Sequence, residues 1–233
     1  MSHFIKITGG LQALEVPAQG TQKAGLVLIQ EIFGVNANMA GLAVQYASHG
    51  FHVLVPDLFW RTKPLINLDP ASAEDRQQAM ALNAAFDDEL GLLDLAECAQ
   101  YLRGASRQPV FAVGYCLGGR LSFRLAGAGA VEASVSYYGV NIDKHLDNAH
   151  NTPRLVHIAQ KDTLCPPESQ RRIGDWAQGT STAVHVYEDT QHAFARAGGP
   201  SYDEAAAELA NQRTLAFLER LSGNAGANGW NGR

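Results

Sequence analysis

Residues 109–120, PVFAVGYCLGGR, decide how the rest of the chain is read. A short apolar run of β type drives straight into Cys116, which has Gly114 and Gly118 two places either side and Gly119 beyond, and a helical pattern follows. A nucleophile elbow makes this turn. Its central residue sits in a strained backbone conformation that lifts the side chain clear of the sheet, and small neighbours let strand and helix pass closely. The pattern G-x-C-x-G is that elbow with sulfur in place of oxygen. It puts Cys116 at a helix N-terminus, where unpaired N–H groups and the helix dipole favour a thiolate and can stabilise an oxyanion. A cysteine between glycines is also compatible with a small buried apolar residue, so the assignment depends on partners elsewhere in the chain.

Outward from the elbow, apolar runs of strand length alternate with helical patterns. Residues 3–16 alternate around Gly9 and Gly10 and predict an opening hairpin. Residues 25–30, GLVLIQ, are apolar without alternation, as strands buried on both faces of a parallel sheet are. Asn36 is placed to cap a helix over 39–49, 52–57 is a strand closed by Pro56, and 58–70 is a long loop. Met80, Leu82, Phe86, Leu90, Leu93 and Leu102 recur at three- and four-residue steps and predict one helix or two over 72–103, with Gly91 and Asp87-Asp88 as breaking points. The helix after the elbow runs to about residue 128. Strands at 133–138, 155–159 and 184–187 and helices at 166–178 and 201–221 complete the order, and 224–233 reads as a frayed Gly- and Asn-rich tail. Strands alternating with long crossovers imply the α/β class: a mostly parallel central sheet with helices on both faces. One domain over 1–222 and a flexible tail over 223–233 are expected.

Composition bounds the function. A length of 233 residues at 46% hydrophobic content suits one sizeable core. A net charge of -5 with no Lys/Arg cluster gives no footprint for nucleic acid. Cys98, Cys116 and Cys165 make an odd count without C-x-x-C spacing, which indicates neither a disulfide framework nor a structural zinc site. There is no apolar N-terminal segment and no run approaching a membrane span. A cytoplasmic monomer with no metal or organic cofactor, acting on a small molecule, is expected.

In open α/β sheets function gathers beyond the carboxyl ends of the strands. Glu31, Asp57, Cys116, Asp162 and His192 fall there. Elbow enzymes carry nucleophile, acid and histidine in that chain order, and Cys116, Asp162 and His192 obey it. Of the eight histidines only His192 lies between the last strand and the last helix. Asp189 competes with Asp162, which is preferred because it directly follows a strand; Asp57 reads as a turn anchor. In these roles His192 takes the thiol proton, Asp162 fixes the imidazole, and sulfur attacks a carbonyl. The backbone N–H groups of Leu117 and Ile32 are the expected oxyanion donors. Glu31, beside that loop, would oppose an oxyanion and raise a nearby thiol's pKa, or else serve in a salt bridge. Arg196, four residues after His192, could pair with a substrate carboxylate or be a solvated loop charge. A dinucleotide site is excluded, since the glycines do not fit G-x-G-x-x-G. A non-catalytic ligand-binding protein with a merely buried Cys116 is the alternative of a different class.

The combination of QEIFGVN, GYCLGG and H-x-F-A-R, with VPDLF, LDPAS and VSYYGV between, resembles the dienelactone hydrolase (carboxymethylenebutenolidase) family over nearly the whole chain. The resemblance implies a compact α/β-hydrolase fold and a Cys116, Asp162, His192 triad that opens dienelactone to maleylacetate. It further implies that Glu31 restrains the thiol and helps to activate it, that Arg76 and Arg196 bind the substrate carboxylate, and that Tyr137 lies at the pocket. The chain departs from the family pattern at Met80 and Asn83, where the family has a tyrosine and a tryptophan, and at Ala193, where it has a serine. These departures bear on the substrate more than on the chemistry, and leave a broad carboxylesterase or thioesterase as the alternative enzyme. Cys98 and Cys165 receive no role.

Overall fold

The computed structural model describes residues 2–147 and 150–223. They divide into two compact units, with the boundary between Phe111 and Ala112. The frayed tail expected at the C-terminus lies outside the described residues, apart from Gly223, which ends the last helix.

The first unit opens with the expected hairpin, β1 (His3–Thr8) and β2 (Leu11–Val16), which pair antiparallel. β3 (Ala24–Ile29) is buried at every residue, as its unbroken apolar run required. α1 (Ala37–Ser48) leads to β4 (Phe51–Pro56), which pairs antiparallel with β2 and parallel with β3. Asn36 caps α1: its Oδ1 accepts the Met39 N–H at 3.1 Å. The long helical stretch is two helices, α2 (Ala73–Ala84) and α3 (Asp88–Ser106). Asp87 makes the break by capping α3, accepting the N–H groups of Glu89 and Leu90. Gly91 lies inside α3 and breaks nothing. A Cβ there would stand 2.4 Å from Cζ of Phe86, so the glycine admits an aromatic ring rather than a bend. α1 and α3 pack on the strands of this unit.

β5 (Val110–Tyr115) crosses from the first unit into the second and ends at the elbow. α4 (Leu117–Gly127), β6 (Ala133–Tyr137), a short 3-10 turn at Ile142–Lys144, β7 (Arg154–Ala159), α5 (Pro167–Ala177), β8 (Thr182–Tyr187) and α6 (Glu204–Gly223) follow. β6, β7 and β8 are parallel neighbours in that order. β5, β6 and β7 are buried throughout, whereas β8 at the edge is only partly so. All eight strands belong to one mostly parallel sheet, and helices flank it. Among the described residues no helix is long and apolar enough to cross a membrane.

Candidate active site

The elbow geometry is built as the glycines require. Cys116 sits at φ 54°, ψ -112°, a strained conformation for a residue with a side chain. A Cβ on Gly114 would stand 1.9 Å from the carbonyl oxygen of Gly118, and one on Gly119 would stand 2.7 Å from Cα of Gly139. Strand and helix therefore pass at a distance only hydrogen atoms allow. Tyr137 holds the elbow from the side, its carbonyl accepting the Cys116 N–H at 3.0 Å. Leu117 opens α4, and first-turn N–H groups have no partner within a helix.

Asp162 and His192 come together in the same unit. His192 Nδ1 lies 2.7 Å from Asp162 Oδ2, and the two side chains are 20% and 1% exposed. The loops carrying them are laced to each other. The Lys161 N–H donates to the Thr190 carbonyl at 2.8 Å, and the Gln160 N–H to the Tyr187 carbonyl at 3.0 Å. Asp162 is pinned by the Leu164 N–H, which donates to its Oδ1 at 2.8 Å. The Tyr138 ring meets the His192 ring edge to face, centroids 5.1 Å apart. His192 Nε2 is buried without an aligned hydrogen-bond partner among the described residues. Burial alone would lower the imidazole's pKa, but the Asp162 carboxylate and the Cys116 sulfur, each by contact and by charge, outweigh it and push it up to about 10. The imidazole thus holds its proton through the neutral range, with an acid on one nitrogen and the sulfur near the other.

Asp189, the competing acid, is excluded. Its side chain is 83% exposed and pairs with Lys161 at 2.7 Å. Asp57 is the expected turn anchor: it is buried, its Oδ2 accepts the Leu65 N–H at 2.6 Å, and burial raises its pKa. Arg196 is half-buried on the turn after His192, where its N–H donates to the Ala193 carbonyl at 3.0 Å. Ala193 has φ 66°.

Tyr137 turns its hydroxyl towards α6. It is fully buried, and its hydroxyl is engaged by α6, 2.9 Å from Asn211 Oδ1 and 2.7 Å from Thr214 Oγ1. Alternation along a strand sends successive side chains to opposite faces, and it is the next residue, Tyr138, at φ 39°, whose ring reaches the histidine. Nothing in the linear sequence distinguishes the two tyrosines.

In the first unit, Glu31 is 3% exposed and Ile32 half-buried. The Gln30 side-chain amide donates to the Glu31 carbonyl at 3.2 Å, which sets the plane of the peptide that bears the Ile32 N–H. The loop beyond is tied to 66–68: Val35 N–H donates to the Ile66 carbonyl at 3.0 Å and Leu68 N–H to the Phe33 carbonyl at 2.9 Å. Gly34 has φ +77°, and a Cβ there would overlap the Ile66 carbonyl oxygen at 2.0 Å. Arg76 is exposed on the first turns of α2, its guanidinium donating to the carbonyls of Pro70 at 3.1 Å and Ala71 at 3.4 Å. Met80 is 66% exposed and Asn83 exposed on the same helix. Among the described residues no group of three or more His, Cys, Asp or Glu is arranged to hold a metal ion.

Known proteins are similar to this chain in sequence and in fold. The model of the dienelactone hydrolase family matches residues 11–222. The carboxymethylenebutenolidase of Pseudomonas putida is 39% identical over 201 residues, 84% of this chain and 85% of that one. Carboxymethylenebutenolidase 1 of Cupriavidus pinatubonensis is 36% identical over 230 residues, 95% of this chain and 98% of its own. Among solved structures, a Klebsiella pneumoniae protein assigned as a dienelactone hydrolase superposes with a TM-score of 0.80 at 23% identity, over 94% of this chain and 98% of that one. The resemblance carried by QEIFGVN, GYCLGG and H-x-F-A-R is therefore real over both units: the chain is a hydrolase with the α/β-hydrolase fold, and it belongs to the dienelactone hydrolase family.

Proposed function

We propose that the protein is a cysteine-dependent hydrolase that opens a small, carboxylate-bearing enol lactone, of the dienelactone-to-maleylacetate type, through an S-acyl intermediate. The observation that carries this reading is a buried acid–imidazole pair 2.7 Å apart that holds a proton close to a cysteine on an elbow. Two curated relatives are named for this activity. In the forward step the Cys116 sulfur, its proton passed to His192, attacks the lactone carbonyl. The oxyanion of the tetrahedral intermediate takes hydrogen bonds from the Leu117 and Ile32 N–H groups. Collapse breaks the ring C–O bond, and His192 gives its proton to the departing enolate oxygen, leaving the acyl group on sulfur. Water then attacks the thioester, His192 takes the water's proton, and the thiolate leaves as the carboxylic acid forms. Asp162 stabilises the imidazolium in both halves. Glu31 restrains the sulfur between turnovers by opposing its negative charge. Arg196 and Arg76 recognise the substrate carboxylate, since a guanidinium matches its geometry.

Steady-state turnover of cis- and trans-dienelactone beside p-nitrophenyl acetate, for the wild type, Cys116→Ala and Arg196→Ala, tests each part. Cys116→Ala is expected to be inactive on all three, and a folded, active Cys116→Ala refutes the mechanism. Arg196→Ala is expected to raise KM for the anionic lactones and leave that for the neutral ester unchanged. A second reading, a broad carboxylesterase or thioesterase, is favoured by one observation: the Arg76 guanidinium is held by two loop carbonyls. Under it the neutral ester turns over faster than the lactones and Arg196→Ala leaves every KM unchanged.

A further inference from the structure

The second unit contains a line of buried polar groups that the reaction above does not use. His157 Nδ1 lies 2.8 Å from the Tyr187 hydroxyl, and its Nε2 lies 3.0 Å from Thr214 Oγ1. Thr214 Oγ1 is in turn 2.7 Å from the Tyr137 hydroxyl, which donates to Asn211 Oδ1 at 2.9 Å. At the other end the Arg213 guanidinium lies over the Tyr187 ring, 5.5 Å from its centroid. Tyr137, His157 and Thr214 are fully buried.

Proton counting gives every link one direction. The single proton of Tyr137 goes to Asn211, so its oxygen accepts from Thr214. The Thr214 proton is then committed, so Thr214 can only accept from His157, and Nε2 carries the hydrogen. Burial keeps His157 neutral, its pKa well below the usual imidazole value, and the charges of His185 and Arg213 push the same way. A neutral imidazole has one N–H. Nδ1 therefore accepts from the Tyr187 hydroxyl. The order is Tyr187, His157, Thr214, Tyr137, Asn211.

The two tyrosines end β6 and β8, and their carbonyls anchor the triad. The Tyr137 carbonyl accepts the Cys116 N–H at 3.0 Å. The Tyr187 carbonyl accepts the Gln160 N–H at 3.0 Å, two residues before Asp162, and the Thr190 hydroxyl at 2.9 Å, two before His192. The Tyr187 ring also packs on Phe194, centroids 4.9 Å apart, two residues after His192. One chain of hydrogen bonds thus joins the backbone anchor of the nucleophile to that of the acid and base.

We propose that Thr214 and His157 are positioning residues, which hold Cys116 in register with Asp162 and His192 by fixing the two tyrosines to α6. The proposal rests on the triad reading. Apolar packing would fix the volume between strands and helix; a directed chain also fixes angle and separation, and reactivity falls steeply with misplacement of reacting atoms.

The test compares Thr214→Val, Thr214→Ser, Tyr187→Phe and Cys116→Ala on p-nitrophenyl acetate, at a temperature where unfolding curves show each variant folded. Thr214→Val keeps the shape and removes both links. It is expected to lower kcat about 10- to 30-fold with KM within about twofold, and Thr214→Ser is expected to restore kcat to within about threefold. Nitrogen-15 NMR is expected to show His157 as the neutral Nε2–H form in the wild type, and the His192 ring signals to move in Thr214→Val. A folded Thr214→Val with wild-type kcat and unmoved His192 signals, beside an inactive Cys116→Ala, overturns the positioning role and leaves the triad standing. An active Cys116→Ala brings down the triad and this role with it. Should Thr214→Val not fold, Tyr187→Phe decides alone: it breaks only the link to His157, and unchanged kcat and His192 signals overturn the proposal.

Discussion

Asp162 differs from Asp189 in burial, and burial makes it the stronger partner for an imidazole. At 1% side-chain exposure, and 2.7 Å from His192, its charge is little screened, whereas Asp189 is spread into solvent beside Lys161. Asp162→Asn keeps the volume and removes the charge. The His192 pKa is then expected to fall from about 10, because the carboxylate is a principal cause of its rise and burial works against it. Ester turnover is expected to drop by about 10³- to 10⁴-fold, since an amide does not stabilise the imidazolium. A pH–rate profile of the variant with less than a tenfold loss contradicts the role. Cys165, by contrast, is inert: burial and the nearby Asp162 and Asp143 charges push its thiol up to about 12, so alkylating reagents at neutral pH should label Cys116 first.

At the scale of elements, the elbow is a steric device. Gly114 is needed because β5 and α4 pass with the Gly118 carbonyl 1.9 Å from where its Cβ would stand, and the clash is with backbone, which has little freedom to move. Gly114→Ala is therefore expected to cost about 3 kcal/mol or to prevent folding. Gly41→Ala, on the open face of α1 with nothing within 4 Å of the added carbon, is the control and is expected to be neutral or stabilising. Chemical denaturation of the two variants checks both, and equal midpoints would sink the argument. The glycines of the motif were legible in the sequence for this reason: a fixed spacing of small residues has few other causes. The break between α2 and α3 was legible only to within a few residues, because Asp87 and Gly91 both signal an end, and only the ring of Phe86 shows which signal is a cap and which a packing site.

At the scale of the molecule, stability inherits the charge state of the site. His192 has a folded pKa of about 10 against 6.5 for an ordinary imidazole. Its contribution to stability is fully present below about pH 6.5, and is lost as pH rises towards and through 10, because in that window the native state binds a proton the unfolded chain does not. Denaturant midpoints of the wild type should fall between pH 7 and pH 10 more than those of His192→Gln. Parallel midpoints in the two proteins would mean that the imidazole titrates in the native state as it does in the unfolded chain.

The sequence by itself determined the α/β class, the order of strands and helices, the elbow at Cys116 and the histidine after the last strand. All of these are written in local periodicity or in spacings along the chain, which a linear reading can see. The sequence also preferred Asp162, which the structure sets against His192; the tertiary structure alone decided that Tyr137 faces α6 while Tyr138 meets the imidazole, and that His157, Thr214 and Tyr187 form one directed chain. Those partners lie 30, 77, 54, 30 and 57 residues apart along the sequence, for the pairs Asp162–His192, Tyr137–Thr214, Tyr138–His192, His157–Tyr187 and His157–Thr214. A polar side chain in an apolar strand shows only that it needs a partner; parallel pairing of β6, β7 and β8 and the docking of α6 supply it.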